Sequence, residues 1–72
     1  MEEKILGIFA EIAGKDVSEI SPESRLDEDL ELKSLHRFTL LAMLDEQFGK
    51  SPDPVVAGEW NLVSEWIAFY QD

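Results

Sequence analysis

Three stretches of this chain repeat their apolar residues at the three- and four-residue spacing of a helix, and no stretch of useful length alternates as a strand does. Ile5, Leu6, Ile8, Phe9, Ile12 and Ala13 form the first set, with Glu2, Glu3, Lys4 and Glu11 among the polar positions. This spacing, with Gly14 as a stop, predicts a helix over residues 2–14. Leu35, Phe38, Leu41, Ala42, Leu44 and Phe48 give the second set a broad apolar face, predicting a helix over 34–48 that stops at Gly49. The run KSPDP then bars continuation, because closely spaced prolines cannot stay helical. VVAGEW is expected to form a short helix or turn. Asn61 is a good cap for a last helix carrying Leu62, Val63, Trp66, Ile67, Phe69 and Tyr70. The expected fold is all-α, with three longer helices, one short one and a long first connection.

That connection, residues 15–33, has no sustained period and contains the breaker Ser21-Pro22. Val17, Ile20, Leu26, Leu30 and Leu32 are spaced to pin it onto a core, and a short helical turn fits within it. A loop of this length in so small a domain is commonly functional.

Seventy-two residues suffice for one domain, 1–72, with one modest core. Cysteine is absent, so no disulfide frame or thiolate zinc site is available, which fits a reducing compartment. The first residues resemble neither a signal nor a transit peptide, and no apolar run approaches the ~20 residues that span a bilayer. A soluble, monomeric, cytoplasmic domain is the expectation. Sixteen acids against six bases give a formal charge of −10, which repels nucleic-acid backbones and anionic lipid and favours a partner with a basic docking face. An apolar share of 44% with seven aromatic residues argues for a packed core rather than acidic disorder.

Few residues offer catalytic chemistry. Ser34 and the single histidine, His36, stand two positions apart on one predicted helix and so do not face each other; His36 reads as a solvated surface residue, and no catalytic residue is expected. The acids Asp27, Glu28, Asp29 and Glu31 suggest a calcium loop, but counting from Asp27 puts Leu32 and Phe38 where an EF-hand needs glycine and glutamate. A solvated acidic surface is the better reading, and no metal site is expected. Trp60, Trp66, Phe69 and Tyr70, like Phe9, Phe38 and Phe48, read as core or pocket wall. Ser34 differs because of its place. The first turn of a helix has free N–H groups and the positive end of the dipole, which suit a phosphate. As an N-cap or as the bearer of a phosphate ester, the serine is equally intelligible.

The stretch DLELKSLHRFTLLAMLDEQFG resembles the acyl carrier proteins. In that family an Asp-Ser-Leu motif opens the second helix, and a leucine-acid-acid-x-Phe sequence closes it. Ser34 and Leu35 stand in the motif, and LDEQFG matches the helix end. SRLDEDL upstream is similar to the family's loop, and EWNLVSEWIAFY downstream to the entry of its last helix. The resemblance covers nearly the whole chain. It implies a small four-helix bundle with a long loop between helices 1 and 2, and a carrier rather than an enzyme. A phosphopantetheinyl transferase would place 4′-phosphopantetheine on Ser34, and the arm would hold acyl groups as thioesters for synthase and acyl-transferring partners. Phe38, Leu41, Leu44, Val63 and Ile67 are candidates for the wall of an acyl pocket.

The chain departs from the family pattern at Lys33, where the motif has aspartate. His36, Arg37 and Thr39 follow where acids commonly contact partner enzymes, so from Lys33 to Leu44 there is no carboxylate. Lys33, Leu35, His36 and Arg37 are thus expected to form a docking patch of altered sign, suited to partners with less basic faces. The departure also admits an unmodified interaction module, with Ser34 only a cap. A peptidyl or aryl carrier keeps the same chemistry with different cargo.

Overall fold

The computed structural model describes residues 2–71. Four α-helices follow in order: α1 (Glu2–Ala13), α2 (Ser34–Phe48), α3 (Pro54–Ala57) and α4 (Val63–Gln71), with a 3₁₀ turn at Val17–Glu19. The described residues contain no strand beyond an isolated bridge between Arg25 and Leu62. Helix α1 packs against α2, α4 and the 3₁₀ turn.

Each boundary has a local cause. Glu2 and Glu3 sit in the first turn of α1, where the dipole favours acids. Gly14 and Gly49 end α1 and α2 with φ of +68° and +67°, a left-handed conformation that costs glycine little. Asp16 caps the 3₁₀ turn by accepting the Ser18 N–H at 3.0 Å, while Glu19 accepts the Asp16 N–H. The Ser18 N–H also holds the Asp16 carboxyl below its ordinary range. Asp53 caps α3 by accepting the Val55 N–H at 2.8 Å, and Pro54 occupies the first helical position, where its missing donor is no loss. Helix α3 therefore starts at the second proline of KSPDP rather than after it.

The last helix is not capped as its sequence suggests. The Asn61 side chain accepts from the Asp27 N–H at 3.2 Å instead of from its own helix. Backbone carbonyls of the long loop serve the first donors of α4: Val63 N–H bonds Ser24 O at 3.1 Å, and Ser64 N–H bonds Pro22 O at 2.9 Å. Leu26 N–H returns a 2.8 Å bond to Asn61 O. The loop is thus a partner of α4 and not only a connection, which accounts for its order without a period of its own.

Ile20, Leu26, Leu30 and Leu32 anchor this loop in the core with Ile5, Phe9, Leu40, Leu44, Trp66 and Tyr70. Val17 does not join them. It opens the capped 3₁₀ turn and lies 48% exposed. The inner side of α2 also differs from expectation. Leu40 and Leu44 are its buried residues, whereas Leu35 and Phe38 lie outside at 79% and 64% exposure. Apolar residues occur all round this helix, so periodicity does not set which side faces inward. At the far end, Lys50 donates to Phe69 O at 3.2 Å and lies over the Phe69 ring, placing a cation at the negative end of α4.

Candidate functional site

Helix α2 opens at the end of a sharp turn. Glu31 holds φ of +54°, Leu32 is buried, and Lys33 is extended at φ −102° and ψ 178° as the residue that precedes the helix. Lys33, not Ser34, is therefore the N-cap, and an ammonium has no lone pair with which to cap. The missing acceptor comes from one turn on: His36 Nδ1 accepts the Lys33 N–H at 2.9 Å. His36, half-buried on the helix surface, helps in this way to close the helix start. Its Nδ1 is turned to the backbone and so is not a base for Ser34.

Ser34 is the first residue of α2 and is exposed. Its hydroxyl makes no hydrogen bond to another described residue, so of the two roles its position allows, it does not act as the cap here. The N–H groups of the first turn have no partner within the helix, and Lys33 is exposed beside them. This is a local field for an anion borne on the serine oxygen.

Beside Ser34 opens a cleft of about 250 Å³ between α2, α3 and the start of α4. Its walls are Ser34, Arg37, Phe38 and Leu41 from α2, with Pro54, Ala57 and Gly58 opposite and Trp66 within. Trp66 is fixed by a bond from Nε1 to Trp60 O at 3.2 Å and by edge-on contacts with Phe9 and Trp60. Phe38 is largely exposed and forms part of the rim.

Of the residues expected to line an acyl pocket, the structure brings Phe38 and Leu41 to this cleft. Leu44, Val63 and Ile67 do not line it. They are at most 5% exposed and belong to the common core, because the sides of α2 and α4 that carry them face inward. Trp66, Pro54, Ala57 and Gly58 complete the lining of the cleft. The sequence did carry a signal for α3, namely an Asp followed by Pro at a helix start, which would have set that wall.

The expected docking patch is also divided. Lys33 and Leu35 face solvent. Arg37 turns inward: its side chain is 16% exposed, and Nη1 donates to Trp60 O at 2.8 Å and to Gly58 O at 3.4 Å. Nη2 donates to Asn61 Oδ1 at 3.4 Å and stands 3.6 Å from Asp27. Arg37 thus ties α2 to the segment joining α3 and α4. It is a cleft wall rather than an outward cation, because four oxygen acceptors converge on the place its guanidinium reaches.

Comparison with known families matches residues 3–69 to the family described as the phosphopantetheine attachment site. An acyl carrier protein of Rubrobacter xylanophilus is 45% identical over 67 residues, covering 93% of this chain and 83% of that protein. An acyl carrier protein of Rickettsia bellii is 35% identical over 49 residues, covering 68% of this chain. This match spans 57% of the length of the Rickettsia protein.

Proposed function

The chain belongs to the phosphopantetheine attachment-site family, and from that premise we propose that it is an acyl carrier modified on Ser34. The observation that carries this reading is an exposed serine hydroxyl, unbonded to any described residue, at the first position of α2 and opening onto the cleft. Nothing around it makes it a nucleophile unaided, since its histidine neighbour is committed to the backbone. Activation therefore belongs to a phosphopantetheinyl transferase. The Ser34 oxygen would attack the coenzyme A phosphorus that bears the pantetheine and pass its proton to a base of the transferase, while the P–O bond of the diphosphate breaks and adenosine 3′,5′-bisphosphate leaves. The first-turn N–H groups and Lys33 favour the negative charge of the resulting phosphodiester. The arm's thiol supplies the acyl-holding chemistry, as a thioester, in fatty-acid, polyketide or related synthesis.

In this role the protein is a carrier and not a catalyst. It acts as a monomer in the cytoplasm, where coenzyme A is at hand, and meets its transferase and then synthase or acyl-transferring enzymes. Among the described residues no helix is long and apolar enough to cross a membrane. The exposed Lys33 and Leu35 beside Ser34 are the docking contacts we assign to these partners, together with the rim residue Phe38. Leu41, Phe38 and Trp66 are the cleft residues against which acyl methylenes gain about 0.8 kcal/mol each on burial.

Intact mass after incubation with coenzyme A and a broad-specificity transferase tests this. The expected result is the gain of one phosphopantetheine in the wild type and none in Ser34→Ala. If neither the wild type nor Lys33→Asp gains mass while both stay folded, the proposal fails, and the unmodified interaction module, with Lys33 as its mark, replaces it. Where Ser34 is loaded, competition among fatty-acyl, peptidyl and aryl donors at its thiol orders the cargo classes.

A further inference from the structure

Building on the acyl-carrier reading, we propose that Arg37 determines cargo specificity, selecting a short acyl group that bears a carboxylate over a purely aliphatic one. The cleft that opens at Ser34 is walled mainly by apolar groups, among them Phe38, Leu41, Pro54, Ala57 and Trp66, and among the described residues Arg37 is its one charged lining residue. At about 250 Å³ it falls below the ~300–1,000 Å³ usual for small-molecule sites, so it suits a short chain.

The charge on Arg37 is poorly matched by its surroundings. Its side chain is 16% exposed, and three of its acceptors, Trp60 O, Gly58 O and Asn61 Oδ1, are neutral. Among the described residues the one carboxylate in reach, Asp27, stands at 3.6 Å and is itself 64% exposed, so water screens much of its attraction. An aliphatic chain filling the cleft would strip the remaining water from the guanidinium and return nothing to it. A chain ending in a carboxylate would replace the long 3.4 Å contacts to Gly58 and Asn61 with charge-assisted bonds, while the 2.8 Å bond to Trp60 holds the side chain in place. The net charge of −10 opposes any anion at long range. Close to the cleft that opposition is weakened, because α2 carries no acid between Lys33 and Leu44.

The chain has no cysteine, so Ser34→Cys creates a single thiol at the cleft mouth. Alkylation with iodoacetamides carrying either a hexyl chain or an equally long chain ending in a carboxylate places both cargos without any transferase. The carboxylate conjugate is expected to melt about 4–8 °C above the hexyl conjugate, the shift typical of a modest added interaction in a domain this small. The Arg37 side-chain N–H resonances should move with the carboxylate and not with the hexyl chain. In Arg37→Met the melting difference should vanish or reverse. Arg37→Gln, which retains a donor toward Trp60, should also lose it, and it serves where Arg37→Met does not fold. Equal melting of the two conjugates with unmoved Arg37 resonances, or a hexyl conjugate the more stable in the Arg37 protein, would overturn the proposal. Failure of enzymatic loading on Ser34 would count against the carrier reading and leave this result standing, so the two failures are distinct.

Discussion

The Tyr70 hydroxyl donates to Asp45 Oδ1 at 2.9 Å, joining the end of α4 to the last turns of α2. Tyr70 is 1% exposed, and the second Asp45 oxygen accepts from the Ser51 hydroxyl. An acid that the sequence leaves on the outer end of α2 is thereby turned into a tie between two helices and the loop after Gly49. Glu46 beside it stays exposed. Tyr70→Phe should cost about 0.5–1.5 kcal/mol, the net worth of one hydrogen bond. Asp45→Ala should cost more, about 1–3 kcal/mol, because it leaves a buried hydroxyl without its acceptor. Urea denaturation of the two variants checks the order; a costlier Tyr70→Phe would contradict it.

Burial, then the hydrogen bond to Asp45 and that carboxylate's charge, push the Tyr70 phenol well above its ordinary range. A group whose pKa is raised by folding contributes stability that is whole below its unfolded value and is lost as pH rises through the folded one. The unfolded value for tyrosine is about 10, so the loss begins only in strong alkali. Phenolate absorbance should therefore appear together with the loss of helical circular dichroism, not before it. In Tyr70→Phe the alkaline decline in stability should flatten. A phenolate signal from the intact fold at about pH 10, the value of free tyrosine, would refute this.

Leu40 and Leu35 are both leucines of α2, but Leu40 is fully buried and Leu35 is 79% exposed. Leu40→Ala should lose about 2–5 kcal/mol, whereas Leu35→Ala should stay within about 0.5 kcal/mol of the wild type. If Leu35 contacts partners as proposed, its variant should instead weaken association with the transferase. Melting curves and transferase kinetics on the same two proteins separate the effects.

Lys33 opposes the dipole at the start of α2 and lacks a side chain that can cap it. Lys33→Asp supplies both a charge of the right sign and an acceptor, and should stabilise the unmodified protein by about 1 kcal/mol. A phosphodiester on Ser34 reverses the comparison, since Lys33 then faces an anion that an aspartate in its place would repel. Loading should thus raise the melting point of the wild type more than that of Lys33→Asp. Equal shifts in the two would remove the idea that Lys33 serves the modified state.

Sequence alone makes some of the candidate site legible and hides the rest. The serine, its helix and the family pattern are local in sequence, and the match over residues 3–69 follows that pattern. Arg37 is the contrary case. Its neighbours in the chain mark it as an outward base, yet its partners Gly58, Trp60 and Asn61 lie 21 to 24 positions away.

From sequence alone, then, the number and order of helices follow, with their stops at Gly14 and Gly49 and the pinning of the loop by Ile20, Leu26, Leu30 and Leu32. Those features depend on backbone freedom and apolar spacing, which act over a few residues. Tertiary structure alone decided which side of α2 faces inward, because a helix apolar all round carries no phase of its own. It also sent Asn61 to Asp27 instead of to its own helix, and Leu44, Val63 and Ile67 to the core instead of the cleft. In each case the deciding partner is distant in the chain, and a polar group or apolar face goes to whatever acceptor or cavity the packed fold brings within reach.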